Sequence, residues 1–176
     1  MATKPELRRI LRARRASLAD REGRSVAVQH ALLAWEPCRL AERLLVYVGV
    51  GTEVDTAVLR REKVCAMPVV IDDVLRFRTG ELQPGYRGIL EPTGESTEPR
   101  TGDVLVVPVL GFDSEMSRIG QGKGHYDALI ARLRAEGLAI PVVGLAFLVQ
   151  QVDRLPVEPH DQRLDAIATE AGVWEY

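Results

Sequence analysis

At 176 residues with 46% hydrophobic side chains, the chain has the size of one domain and can bury a full core unaided. Its 23 Lys and Arg against 25 Asp and Glu leave a formal charge of -2, which argues against a wholesale binder of nucleic acid or membrane surfaces. Cys38 and Cys65 lie far apart with no C-x-x-C spacing or paired histidines, so free thiols of a reducing compartment are expected in place of a disulfide or zinc site. The sequence passes from Met1 directly into a charged helical pattern, and no apolar run can cross a bilayer, so a cytoplasmic protein is expected.

Thr3 and Glu6 have the spacing of a capping box, and Leu7, Ile10 and Leu11 supply one apolar face, predicting a helix over residues 4–17. Arg8, Arg12 and Arg15 line up as a basic stripe on that helix, either a solvated face or, though no aromatics are interleaved for base stacking, a nucleic-acid arm. A second helix is predicted over residues 25–35, with Val28, Leu32 and Trp35 buried and Pro37 ending it. Residues 44–48 form a short apolar run suited to a strand buried on both faces. The loop 49–56 that follows carries Glu53 and Asp55 to the place where open α/β sheets bind ligands, although Asp55 is better read as the cap of a helix over 56–61.

Residues 64–71 read as the next strand, with Pro68 marking an edge or a strand end. Leu75 and Phe77 alternate with Arg76 and Arg78, the period of a strand with one wet face. Thr79 to Tyr86 is turn-rich, and the Gly, Pro, Ser and Thr of residues 80–102 predict a long loop. Residues 103–110 are the most apolar strand, 126–136 a helix closed by Gly137, 140–147 another doubly buried strand, and 164–169 a final one. Strands alternating with helical patterns give an α/β domain with a mainly parallel sheet.

Between the strand ending at Leu110 and the helix beginning near Tyr126 lies Ser117-Arg-Ile-Gly-Gln-Gly-Lys-Gly-His-Tyr-Asp127. Gly120, Gly122 and Gly124 alternate with Gln121 and Lys123, so every second residue lacks the Cβ that keeps other oxygens off the backbone. A turn of this kind is either a flexible surface loop or an anion site built from free N–H groups and a helix N-terminus. Arg118 and Lys123 add positive charge, and Asp127 in the first turn suits a divalent cation beside phosphate. A metal-bound nucleotide is the expected ligand. The proline-rich stretch 155–161 presents Glu158, His160 and Asp161 together, a hydrogen-bonded corner or a second carboxylate for that cation.

The segment Arg118 to Asp127 resembles the signature of the 5-formyltetrahydrofolate cyclo-ligase, or methenyltetrahydrofolate synthetase, family. Lys4-Pro-Glu-Leu-Arg8, Glu53-Val-Asp-Thr56, Gly88-Ile-Leu-Glu-Pro92, Val106-Val-Pro108 with Gly111-Phe-Asp113, Gly144-Leu-Ala-Phe147 with Gln150, and Leu155-Pro156 with His160-Asp161 are similar to further family motifs in the same order. The resemblance implies a single three-layer α/β domain over residues 1–176 with a mainly parallel, mixed sheet, Rossmann-like and of the NagB/RpiA/CoA-transferase kind. It further implies cyclisation of 5-formyltetrahydrofolate to 5,10-methenyltetrahydrofolate, with ATP and Mg2+ as cofactors and ADP and phosphate released. No nucleic-acid or membrane partner is implied, and a monomer or homodimer is expected.

By the same resemblance Lys4, Arg8, Arg118, Gly120, Gln121, Gly122, Lys123, Gly124 and Tyr126 bind ATP, with Arg118 and Lys123 acting in catalysis. Val48, Glu53, His125 and Tyr126 contact the folate, and Asp127 and Asp161 hold the metal. A carboxylate such as Glu53 can accept two in-plane N–H donors from a pterin edge. The family usually carries Tyr or Phe where this chain has His125, and the segment 55–64 is shorter than the resemblance implies. A regulatory nucleotide-binding paralogue without folate turnover is the alternative function.

Overall fold

The computed structural model describes residues 2–85 and 88–176, so Tyr86, at the end of the predicted turn-rich stretch, lies outside it. Helix α1 (Lys4–Ala16) opens on the predicted capping box: the Glu6 carboxylate accepts the Thr3 N–H at 2.8 Å, and Thr3 Oγ1 accepts the Glu6 N–H at 3.4 Å. Helix α2 (Arg21–Ala34) starts earlier than its apolar period suggests, because Asp20 takes a left-handed backbone (φ 52°) and accepts the Gly23 N–H at 3.2 Å. Pro37 does not simply end that helix. It lies in the first turn of a separate short helix, α3 (Glu36–Leu40), where its missing N–H has no intrahelical partner to lose.

Strand β1 (Arg43–Val46) stops two residues short of the predicted end. The loop after it leads to α4 (Ala57–Glu62), and Asp55 does not cap that helix. Buried Gln29 of α2 does so instead: its Oε1 accepts the Val58 and Leu59 N–H groups at 2.8 and 3.2 Å. Strands β2 (Cys65–Ile71) and β3 (Val74–Arg78) form a hairpin turned by Asp72 and Asp73 at φ 50° and 61°. Pro68 therefore sits inside the sheet. Its strand pairs with β1 only as far as Ala66, so the missing N–H falls where that side has no partner.

The predicted loop 80–102 contains a small ladder, β4 (Leu82–Pro84) with β5 (Leu90–Pro92), and a two-residue strand β6 (Ser96–Thr97) that extends β3. Strand β7 (Asp103–Pro108) is followed by the short pair β8 (Gly111–Phe112) and β9 (Arg118–Ile119), then α5 (His125–Ala135). Strand β10 (Val142–Leu145) is shorter than predicted because Leu148–Gln150 turns as a 3-10 helix close behind it. The chain finishes with β11 (Ala166–Thr169) and an unpredicted β12 (Gly172–Glu175) paired antiparallel to it.

The main sheet runs β12-β11-β10-β7-β1-β2-β3-β6. Its five central strands are parallel and the two edges are antiparallel. Alternation along β1 and β7 assigns the faces: Leu45, Leu105 and Val107 pack with Leu129, Ile130 and Leu133 of α5, whereas Leu44, Val46, Val104 and Val106 pack with Val28 and Leu32 of α2 and Leu59 of α4. This is the expected three-layer α/β architecture. Because β1 connects onward to β2 on one side while β7 lies on its other side, the strand order reverses between β1 and β7. Crevices beyond the carboxyl ends of strands at such a point are where open α/β sheets bind ligands.

At the opposite end of the same two strands, Arg43 Nε and Nη2 donate to Asp103 Oδ1 and Oδ2 at 3.1 and 2.7 Å, and the guanidinium also reaches Thr97 Oγ1 and the Glu98 carbonyl. Both residues are buried. Arg43→Met, which strands the Asp103 carboxylate, should cost about 3–5 kcal/mol in urea unfolding, and adding Asp103→Leu should recover much of that loss.

Candidate active site

A cleft of about 250 Å³ opens at this switch point, lined by α1, the loop after β1, the glycine turn and the 158–161 segment. Two strand ends deliver its walls. Gln150, fully buried, donates from Nε2 to the Val109 and Leu110 carbonyls at 2.7 and 2.9 Å and accepts the Phe147 N–H at 2.8 Å, so the chain leaving β7 is pinned to the end of β10. Asp113, also buried, accepts N–H groups from Glu115, Ser117 and Leu155 at 3.0, 3.1 and 2.9 Å. One carboxylate thus fixes both the approach to the glycine turn and the start of the proline-rich segment.

Along the glycine turn, no backbone N–H from Gly120 to Asp127 donates to another group among the described residues. Gly122 (φ 102°) and Gly124 (φ 74°) hold the left-handed backbone that keeps these groups turned out. Gly124 is the N-cap of α5 and offers no side chain to cover its first turn. A Cβ at Gly122 would stand 3.2 Å from the Arg8 guanidinium carbon and crowd the side chain that reaches the Gly120 carbonyl. The result is a run of donors beside a helix N-terminus, an arrangement whose chemistry suits an anion.

The arginine stripe of α1 is engaged by the neighbouring loops, with Arg15 buried, Arg8 half-buried and Arg12 exposed. Arg8 Nε donates to the Gly120 carbonyl at 3.0 Å, Arg12 Nη2 to Gln121 Oε1 at 2.7 Å, and Arg15 Nε to Thr52 Oγ1 at 3.0 Å. Burial pulls the Arg15 pKa down from its ordinary value despite the nearby Glu53 carboxylate. The helix is a strap that ties the glycine turn to the loop carrying Glu53. Its apolar side is seated by Leu11, which packs with Leu110, Ile119 and Leu155 over the place where Gly111 leaves room for it.

Charges in the cleft are pre-paired. Arg118, with a side chain 4% exposed, has Nη2 3.0 Å from Asp127 Oδ1. The contact has the distance of an ion pair without hydrogen-bond alignment, since buried Nε and Nη2 find no acceptor in line. Asp127 Oδ1 accepts instead the Gln162 N–H at 2.9 Å. Lys4 Nζ donates to Asp161 Oδ2 at 2.7 Å and Glu158 Oε2 at 2.5 Å. Burial works against the charged Lys4, but the hydrogen bonds and charges of Asp161 and Glu158 outweigh it and raise its pKa. Burial likewise opposes the Asp161 carboxylate, and the Lys4 and Glu158 N–H bonds overcome it, so that pKa falls. Lys123 is exposed and has no ion-pair partner among the described residues.

Asp127 and Asp161 line the same cleft, linked through the Gln162 amide. The tightest group of metal-type ligands is a different one, Glu158, His160 and Asp161 within 4.8 Å of one another, and the Lys4 ammonium already bonds two of the three. Each predicted metal carboxylate nevertheless keeps one oxygen outside any hydrogen bond among the described residues, Oδ2 of Asp127 and Oδ1 of Asp161. That donor set fits Mg2+, which takes one or two carboxylates beside phosphate and water.

The expected folate side is only partly assembled by this cleft. Glu53 lines it and accepts the Val50 N–H at 3.1 Å. Tyr126 both lines it and packs on the core; burial and then the Glu53 charge raise its pKa. Val48 is not among the lining residues. With β1 ending at Val46, Val48 packs partly buried on the α2 side of the core. His125 lines the cleft, its Nε2 2.8 Å from Asp73 Oδ1. Asp73 escapes sequence reasoning; Arg15 was marked only by its place on the basic stripe and Asp113 only by its place in the Gly111-Phe-Asp113 motif, without a role for either.

With the geometry in place, comparison with known proteins is informative. The family model for 5-formyltetrahydrofolate cyclo-ligases matches residues 1–170. A 5-formyltetrahydrofolate cyclo-ligase of Mus musculus is 27% identical over 94% of this chain and 90% of its own length. The Escherichia coli K12 enzyme of that name is 29% identical over 95% of this chain and its full length. The solution structure of Aquifex aeolicus 5,10-methenyltetrahydrofolate synthetase superposes with TM-score 0.82 and 31% identity, covering 98% of this chain and 92% of that one. A Mycoplasma pneumoniae synthetase, at 24% identity and TM-score 0.76, shares the fold over 96% of this chain and 99% of its own. The likeness therefore spans whole chains.

The Lys4–Asp161 pair has a definite pH signature. Its stabilisation is complete above the ordinary aspartate value of 3.8 and is lost as pH falls through the lower folded value of Asp161. At the other limit it is present below the ordinary lysine value of 10.5 and is lost as pH rises through the higher folded value of Lys4. Asp161→Asn should cost no more than about 1 kcal/mol at pH 7 after solvent screening, and the difference from wild type should shrink in urea titrations as pH falls below 3.8 and through the lower folded value of Asp161.

Proposed function

This chain belongs to the 5-formyltetrahydrofolate cyclo-ligase family, and we propose that its cleft closes the ring of 5-formyltetrahydrofolate with ATP as phosphoryl donor and Mg2+ as metal. It is a ligase of folate one-carbon chemistry, and the regulatory alternative is not favoured by family and relatives that carry the enzyme's name. In this reading residues 1–176 act as one catalytic domain. The observation that carries the reading is the juxtaposition of Arg118, buried with two N–H directions unsatisfied, and the unpaired amides of Gly120 to Asp127.

ATP supplies the phosphoryl group that makes the formyl oxygen a leaving group, and Mg2+ supplies charge neutralisation. Such a reaction asks the protein for positioning and charge more than for a nucleophile, consistent with a cleft built from cations and amides. Arg118 turns its unsatisfied N–H groups to phosphate oxygens, and Lys123 reaches them from the loop. Gly120, Gly122 and Gly124 admit those oxygens to the backbone, while Arg8 and Gln121 hold the turn against α1. Lys4, which bonds Asp161 and Glu158, would add its charge beside the phosphates, and Asp127 and Asp161, each with one uncommitted oxygen, would hold the Mg2+. Glu53 accepts N–H donors from the pterin edge, and His125 and Tyr126 form the wall beside it. The formyl oxygen is thereby held towards the phosphate loop and N10 towards the formyl carbon, so ring closure follows from orientation.

Purified protein given ATP, Mg2+ and 5-formyltetrahydrofolate should develop the near-ultraviolet absorbance of the methenyl product, and chelation of the metal should abolish it. ATP binding without product would restore the regulatory reading. Asp127→Asn leaves the buried Arg118 guanidinium without its carboxylate and should lower the urea midpoint, but kcat of the fraction that remains folded should still fall at least about a hundredfold; activity lost only in proportion to the folded fraction would make Asp127 structural. Lys123→Ala should raise KM for ATP about tenfold or more and leave KM for the folate within about twofold.

A further inference from the structure

The contact between His125 and Asp73 is not explained by the phosphate chemistry. Asp73 closes the β2–β3 hairpin, with its side chain 92% exposed and its Oδ1 2.8 Å from His125 Nε2. The turn consists of Asp72 and Asp73, both with left-handed backbones at φ 50° and 61°. Two-residue hairpin turns of that handedness favour Asn-Gly or Asp-Gly, because glycine takes positive φ without strain. An aspartate in the second position therefore retains backbone strain and sets two like charges side by side. The hairpin gains nothing from that carboxylate, whose sole hydrogen-bond partner among the described residues is the imidazole.

Among the described residues no other hydrogen bond orients the imidazole. His125 is the first residue of α5, its side chain is 15% exposed, and it lines the cleft between Gly124 and Tyr126 in company with Glu53. Asp73 is its one hydrogen-bond partner among the described residues. Without that bond the ring can turn about both side-chain torsions.

We infer that Asp73 is a positioning residue for the folate: by accepting a hydrogen bond from His125 Nε2–H, it holds the imidazole plane against the cleft as a fixed wall for the flat part of the pterin. The inference rests on the folate reading of the site given above. It assigns the β2–β3 hairpin, which contributes no residue to the cleft lining, a share in substrate selection. Asp73 acts through the imidazole ring, since its contact is with Nε2 and not with a backbone amide of the phosphate loop.

Steady-state kinetics of wild type, Asp73→Ala, Asp73→Gly, Asp73→Asn and Asp72→Gly with 5-formyltetrahydrofolate and ATP test this. Asp73→Ala and Asp73→Gly should raise KM for the folate about five- to tenfold, with kcat and KM for ATP within about twofold. Asp73→Asn, whose side-chain carbonyl still accepts, should stay within about twofold of wild type, as should Asp72→Gly. Asp73→Gly should melt no lower than wild type, because it relieves strain while losing the brace. In a His125→Ala background, Asp73→Ala should have no additional effect. An unchanged folate KM in Asp73→Ala, parallel changes in kcat and KM for ATP, or an equal effect without His125 overturns the inference alone. Failure of the wild type to turn over the folate overturns the site reading and this inference with it.

Discussion

Eight consecutive residues whose backbone N–H groups have no acceptor among the described residues, Gly120 to Asp127, are the constraint around which the cleft is arranged. Such a segment gains no stability from its own hydrogen bonds, so its conformation has to be imposed from outside. Three supports do this. Buried Asp113 fixes the chain before β9, the Arg118–Asp127 ion pair joins the two ends of the turn, and Arg8 and Arg12 clamp it from α1. All three leave the outward amides open. A turn that satisfied its own donors would be more stable and would have nothing to offer an anion.

The same economy governs charge. Arg118 and Lys4 are held close to carboxylates, which keeps buried or half-buried cations tolerable before any ligand arrives. The pairs are incomplete in ways that matter. Arg118 keeps N–H directions without acceptors, and Asp127 and Asp161 each keep an oxygen uncommitted. In the proposed reaction these spare valences meet phosphate and metal, so ligand binding exchanges partners inside a site that is already assembled. The long-range nature of the contacts fits that role. Lys4 meets Asp161 across 157 residues of sequence and Arg8 meets Gly120 across 112, so the charged layout depends on α1 being docked.

Docking of α1 is mostly apolar work. Leu11 fills the space above Gly111 against Leu110, Ile119 and Leu155, while the sheet beneath is closed by the two large clusters on its faces. The polar groups near that seam are fully engaged: Gln150 ties β7 to β10, and Asp113 ties the proline-rich segment to the glycine turn. Packing sets the position of the strap and hydrogen bonds set the direction of each loop. The hairpin tip at Asp73 adds one more such contact, to the ring of His125 that lines the cleft.

Local spacing displayed the principal helices and strands and the glycine-rich turn. The capping box of α1, the two-face-buried strands β1, β7 and β10, and the alternating glycines each depend on residues within a few positions of one another, and such short-range rules are what a sequence displays. Tertiary structure decided the rest. Asp55 looked like a cap, but Gln29, distant in sequence, satisfied the α4 amides. The β4–β5 ladder formed inside a stretch rich in turn residues, and β12 completed an edge that no periodicity announced. The arginine stripe looked solvated because its partners, Thr52, Gly120 and Gln121, are carried to it only when the loops converge at the switch point. Which side chains meet at a site is a property of chain crossings between distant segments, and a window of sequence contains the groups that can bond without the fold that brings them within reach.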